Sequence, residues 1–222
     1  AVKRISENAG ALFAVSDHWL KGGEGAIELA EAVEAAAGRA SRIELCRDLD
    51  VGGITPERAC ITECLSAGLP VNVLVRPRGG SFVFSEKEIL CMLDTIGFCG
   101  ESGVDGIVTG ALLEDGRIDC DAVRVMVKKA RQYKLSVTFH RAFDHCADPF
   151  LCLEDIISLG CDRILTSGQR DTAEEGKGLI AELVRRAAGR IVIMPGSGVT
   201  PDNAAQLSEY TGCVELHGTR LF

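Results

Sequence analysis

The sequence predicts an α/β protein of the (β/α)8, TIM-type barrel class, folded as a single domain over residues 1–222. Three observations predict it. Short runs rich in Val, Ile, Leu and Phe alternate with helical stretches along the chain. Every connection between successive strands is long enough to hold a helix, which makes the strands parallel. Eight such strands can be marked, the number that closes a barrel. An open doubly wound sheet is the competing architecture, but its Gly-x-Gly-x-x-Gly turn after an early strand does not occur here.

Residues 11–16 read as the first strand and residues 24–37, rich in Ala and Glu, as the first helix, with Lys21-Gly22-Gly23 between them. Residues 42–46 form the second strand. Gly52-Gly53 and Thr55-Pro56-Glu57 follow, with Thr55 as N-cap and Pro56 as first residue of a helix running to residue 67. Gly68 stops it, and residues 71–76 make the third strand, ending in Arg76-Pro77-Arg78-Gly79-Gly80. Ser85-Glu86-Lys87-Glu88 is a capping box, and Ile89, Met92, Leu93 and Ile96 keep one face of its helix apolar as far as Gly103. Residues 105–109 are the fourth strand, 119–133 a helix and 135–140 the fifth strand. Pro149 opens a helix to residue 159; residues 162–166 are the sixth strand, 173–187 helical and 190–194 the seventh strand. Pro195-Gly196-Ser197-Gly198 then turns into Thr200-Pro201-Asp202, a second Thr-Pro-acid helix start, and residues 213–217 are the eighth strand. Only five residues follow His217, so the barrel is expected to lack its eighth outer helix. Bare apolar faces on strands eight and one would then favour a homo-oligomer.

In a barrel one face of each strand meets the helices and the other fills the interior, so alternation tells which residues share the inside. Ile43 and Leu45 oppose Glu44 and Cys46; Val71, Val73 and Val75 oppose Asn72, Leu74 and Arg76; Val137 and Phe139 oppose Thr138 and His140; Val214 and Leu216 oppose Glu215 and His217. The fifth strand runs on into Arg141 and Asp144. Charges in a dry interior must pair, meet water or bind something. A lattice of mutual salt bridges is one outcome. The other is a ligand cleft in which Glu44, Arg76, His140, Arg141, Asp144, Glu215 and His217 converge at the carboxyl ends of the strands, where barrels keep their chemistry. Arg76 and Arg78, flanking a rigid proline, have the planar forks that grip a carboxylate or phosphate. His140, oriented by Asp144 or Glu44, could move a proton. Gly196, Ser197 and Gly198 stand where barrels often bind phosphate through backbone N–H groups, although glycines there also serve a tight turn.

A net charge of −8 offers no basic field for nucleic acid, and no apolar run has the length of a membrane span. Ten cysteines without a secretory leader read as reduced thiols of a cytoplasmic protein. They show no zinc-type spacing; Cys60 and Cys64, one helical turn apart, are the tightest pair. No organic cofactor is implied.

Seven segments together resemble the copper homeostasis protein CutC family, in the same order: Arg42-Ile43-Glu44-Leu45-Cys46, Gly52-Gly53-Ile54-Thr55-Pro56, Arg76-Pro77-Arg78-Gly79-Gly80, Asp115-Gly116-Arg117-Ile118-Asp119, Thr138-Phe139-His140-Arg141-Ala142-Phe143-Asp144, Leu165-Thr166-Ser167-Gly168 and Glu215-Leu216-His217. The resemblance implies a barrel, an intracellular location, homo-oligomerisation and an association with copper tolerance and Cu(I) binding, with Cys46 as the candidate copper ligand. The chain departs from the family in two places. No Cys precedes Cys46, where members usually carry one in an acidic first strand, and the family continues beyond the Glu-x-His segment. Cu(I) prefers thiolate and thioether ligands, whereas Glu, Arg, His and Asp suit an anionic, oxygen-rich ligand. Three functions stay open: copper handling through Cys46 with other thiols, a barrel enzyme of unidentified reaction acting on a small anionic substrate, and a binding or regulatory barrel without turnover.

Overall fold

The computed structural model describes residues 41–218 and the backbone of residues 10–16. Its strands are β1 (Gly10–Ser16), β2 (Arg42–Cys46), β3 (Val71–Leu74), β4 (Gly106–Thr109), β5 (Ser136–Phe139), β6 (Arg163–Thr166), β7 (Val192–Pro195) and β8 (Glu215–Gly218). The helices between them are α1 (Arg58–Cys64), α2 (Glu86–Ser102), α3 (Cys120–Gln132), α4 (Pro149–Ser158), α5 (Lys177–Ala187) and α6 (Ala204–Thr211). All eight strands form one parallel sheet in the order β7-β6-β5-β4-β3-β2-β1-β8. The sheet curls until its edges meet: a Cβ added to Gly196, just beyond β7, would lie 3.4 Å from the Cβ of His217 in β8. This is the expected incomplete (β/α)8 barrel. The predicted helix at 24–37 lies outside the described residues, and no helix follows β8 among them.

Alternation along the strands sorts the interior from the shell. Ile43, Leu45, Val71, Val73, Ile107, Val137, Phe139, Ile164, Ile193 and Leu216 join Met92, Ile96, Met126, Leu153, Leu183 and Leu207 of the helices in one continuous core. Each such side chain, fully buried, contributes about 1.5–3 kcal/mol. The inward residues form separate small clusters, Cys46 with Leu74 and Val108, and Leu165 with Met194. Leu216 is 1% exposed, so the outer face of β8 is covered. The expectation that a bare β8 face drives self-association therefore loses its ground at this residue.

Local chemistry explains most helix starts. Ser85 and Glu88 form the capping box of α2, with Glu88 Oε2 accepting from Ser85 N at 2.7 Å. Asp119 caps α3, accepting from Ala122 N at 3.0 Å, and Asp148 caps α4 ahead of Pro149. Both Thr-Pro starts differ from expectation. Thr55 does not cap α1: its hydroxyl accepts from Arg76 N at 2.9 Å and donates to Arg76 O at 3.0 Å, and the helix starts after Glu57. α6 begins after Asn203, whose Oδ1 accepts from Thr200 N at 2.9 Å. α5 also starts later than expected, at Lys177, because Gly176 is pressed onto the β6 loop; a Cβ there would fall 1.9 Å from Ser167 O.

Candidate functional site

The carboxyl ends of the strands surround a cleft of about 530 Å³. Glu44 and Cys46 of β2, Arg76 beyond β3, His140 and Arg141 beyond β5, Ser197 and Gly198 beyond β7 and His217 of β8 all line it, together with Phe82 and Leu165.

Arg76 is 4% exposed. The paired hydrogen bonds from Thr55 fix its backbone, and its guanidinium turns back under the neighbouring loops. NH1 donates to Gly53 O at 3.0 Å and Val51 O at 3.2 Å, and NH2 donates to Gly80 O at 2.8 Å. One face lies over the Phe82 ring, 4.4 Å from its centroid. No carboxylate forms an ion pair with Arg76 among the described residues, and Nε has no partner there. Burial, and then the charge of Arg78, push its pKa below the usual arginine value. Carbonyl dipoles thus hold a buried cation that has no counter-ion among the described residues.

His140 caps the 3-10 turn Arg141–His145 and is 4% exposed. Its Nδ1 accepts from Ala142 N at 3.2 Å, which places the ring proton on Nε2, an atom with no partner among the described residues. Burial, followed by the charge of Arg76, pushes its pKa down to about 3. The imidazole is therefore neutral and carries its N–H at Nε2. The expectation that Asp144 or Glu44 orients it as a proton carrier is corrected: the backbone of its own turn holds it.

Asp144 has a different task. Its carboxylate accepts from Thr166 Oγ1 at 2.5 Å, Ser167 N and Ser167 Oγ at 3.0 Å, Gln169 N at 3.2 Å and Arg141 Nε at 2.8 Å. It binds the β6 loop to the β5 turn and seats Arg141, whose NH2 also donates to Ser167 Oγ at 2.9 Å. The side chain of Arg141 stays 42% exposed at the cleft.

Glu44 Oε1 lies 3.5 Å from His217 Nε2 across the mouth, and Glu44 Oε2 has no partner among the described residues. Glu215 belongs to the opposite end. As the first residue of β8 it pairs with Arg42 and Arg163, the first residues of β2 and β6, so it does not converge with the others. Arg78 also turns away from the cleft: it donates to Glu88, Ser81 O and Val83 O and clamps the loop carrying Phe82. Gly196 N donates to Thr166 O at 2.9 Å, so this N–H is spent inside the barrel, while Ser197 and Gly198 form the turn with positive φ at the rim. Phe82 escaped the sequence reading, and Thr55 was read only as a helix cap. Their signal was proximity to Gly-rich and Arg-rich loops, without a periodic pattern.

For Cu(I), the described residues provide one cleft thiol, Cys46, and no group of three His, Cys, Asp or Glu side chains able to hold a metal ion. Burial pushes Cys99 and Cys161 up to about 12, making them poor thiolate donors. The described donors do not fit a thiolate-rich copper centre.

Fold and cleft define the class: a (β/α)8-type barrel with a ligand cleft, lined by arginine and histidine, at the carboxyl ends of its strands. The chain belongs to the CutC family, whose model matches residues 25–221. A CutC family protein of Parabacteroides distasonis is 50% identical over 187 residues, spanning 83% of this chain and 76% of that protein. One from Xylella fastidiosa is 47% identical over 194 residues, spanning 86% and 71%. A solved CutC chain of Streptococcus agalactiae, carrying a copper homeostasis designation, superposes with a TM-score of 0.86 at 31% identity, covering 96% of this chain and all of that one. Deoxyribose phosphate aldolase from Aeropyrum pernix has a TM-score of 0.72 at 12% identity, covering 99% of this chain and 88% of its own, which is a likeness of fold alone.

Proposed function

We propose that the cleft of this copper homeostasis family member binds a small organic anion, a carboxylate or phosphate. Arg76 and Arg141 supply the positive charge, His140 donates from Nε2 to an uncharged oxygen of the same ligand, and Glu44 with His217 can accept or return a proton. The observation that carries this reading is Arg76, a buried guanidinium lining the cleft with no carboxylate partner among the described residues. A bound anion would supply the missing counter-charge. The test is thermal unfolding with and without phosphate: the parent is stabilised and Arg76→Met is not. An equal phosphate effect in both would refute the reading.

A second reading, Cu(I) carried through Cys46 in the cytoplasm, rests on the copper homeostasis name of the solved relative and on the place of Cys46 in the same cleft, and it requires thiols beyond the one the described cleft provides. Anaerobic Cu(I) titration separates the two readings. Self-association is part of both, with Tyr210 and Val214 as exposed apolar side chains near β8.

A further inference from the structure

A second chamber, of about 630 Å³, lies beside the cleft on the far side of Phe82. The two cavities share Gly52, Arg76, Phe82 and Arg141 as common wall, so both cations face both spaces. Val51, Val83, Leu112 and Leu113 give the outer chamber an apolar wall, and Glu114 and His145 line it as well. Phe82 stands at the junction, its ring 5.0 Å from that of His140 in the cleft and 5.3 Å from that of His145 in the chamber.

The chamber is held in shape by bonds that are independent of any ligand. Leu112 N donates to Phe82 O at 2.9 Å, joining the β4 loop to the β3 loop. Leu113 N donates to Arg117 O at 2.8 Å, and Arg78 holds Ser81 O and Val83 O from behind, each at 2.8 Å. A bare carboxylate or phosphate would fill little of these two spaces, each of which lies in the size range of pockets for larger organic ligands.

We propose that the anion bound in the cleft carries an apolar, ring-bearing substituent, and that the substituent occupies this second chamber against Phe82, Leu112 and Leu113. The proposal rests on the anion reading above and deepens it by naming the ligand class: a ring-bearing organic phosphate or carboxylate with its charge at Arg76 and Arg141. Apolar burial against a preformed wall adds to ionic attraction without further ordering of the loops.

Calorimetric titration of the whole chain with inorganic phosphate and with phenyl phosphate, near pH 8 where both are dianions, tests it. The expected result is phenyl phosphate binding about tenfold more tightly. Leu113→Ser, at a position 37% exposed where the fold has little to lose, should reduce that preference to threefold or less and leave phosphate binding as it was. Equal affinity for the two probes, with phosphate binding still abolished by Arg76→Met, overturns the chamber and leaves the anion reading standing. A preference that survives Leu113→Ser undiminished also overturns it, since the ring then sits elsewhere. Binding of neither probe overturns both proposals together.

Discussion

The guanidinium of Arg76 lies 4.4 Å from the centroid of the Phe82 ring, stacked on an aromatic face and fastened to three carbonyls, with no carboxylate in ion-pair contact among the described residues. Arg76→Met takes the donors from the Gly53 and Gly80 carbonyls but also removes an uncompensated buried charge. The expected net loss of stability is within about 2 kcal/mol by denaturant unfolding, and the stabilisation by phosphate disappears. A loss of about 3–5 kcal/mol, the size expected when a buried carboxylate is stranded, together with an unchanged phosphate effect, would assign Arg76 to structure instead.

His140 makes stability depend on pH with a defined sign. Its pKa is depressed from 6.5 to about 3 by burial and by Arg76, so the unfolded chain takes up the proton first. The contribution is complete above about pH 6.5 and is lost as pH falls toward 3, at up to about 1.4 kcal/mol per pH unit. His140→Asn should flatten this slope between pH 6.5 and 5. Ring resonances of His140 should stay fixed from pH 8 to 5 in the parent, and a midpoint near 6 would contradict a neutral donor.

Glu215 should matter to the fold and not to the ligand. Burial raises its pKa, but hydrogen bonds and charge from Arg42 and Arg163 more than reverse this and leave it below the ordinary glutamate value. Its stabilising contribution is therefore present above the unfolded glutamate pKa of about 4.3 and fades as pH drops below it. Glu215→Ala leaves two guanidiniums without their carboxylate and should cost about 3 kcal/mol by denaturant unfolding. Stability within experimental error of the parent, or loss of the phosphate effect, would contradict this division.

Cys46 decides the copper reading. Anaerobic titration of Cys46→Ser should show Cu(I) binding weakened at least tenfold, whereas Cys64→Ser, at a thiol raised to about 11 by burial and its neighbours Cys60 and Glu63, should leave it unchanged. Equal binding by parent and Cys46→Ser would remove copper from the cleft.

Barrel class and inner parity could be read from the chain because both follow from local periodicity. Glu44, Arg76, His140 and His217 reached the interior for that reason. Height along the barrel could not be read the same way. Glu215 and His217 share a face, yet the register sets Glu215 against Gly10 at the start of β8 and carries His217 to the mouth, a matter of pairing between strands remote in sequence. The cap at Thr55 failed for a related reason. Thr55 finds its partner at Arg76, just beyond the next strand, and a hydroxyl with a better distant bond leaves the helix start to its neighbour. Asp144 lies close to His140 in sequence, but the short turn between them directs its carboxylate to β6.

The inward residues of the barrel occur in three tiers: an ion cluster of Glu215, Arg42 and Arg163 at one end, the apolar Leu74, Val108, Leu165 and Met194 in the middle, and the cleft at the other end. Among the described residues the barrel is therefore closed below the cleft, a cup and not a pipe. Whatever enters must leave through the same mouth, past Phe82 and Arg141, so traffic is governed by the loops at one rim. The floor can be rebuilt without touching the door: on the proposed reading, changes to the ion cluster alter how firmly the cup holds its shape, and changes at the rim alter what it holds.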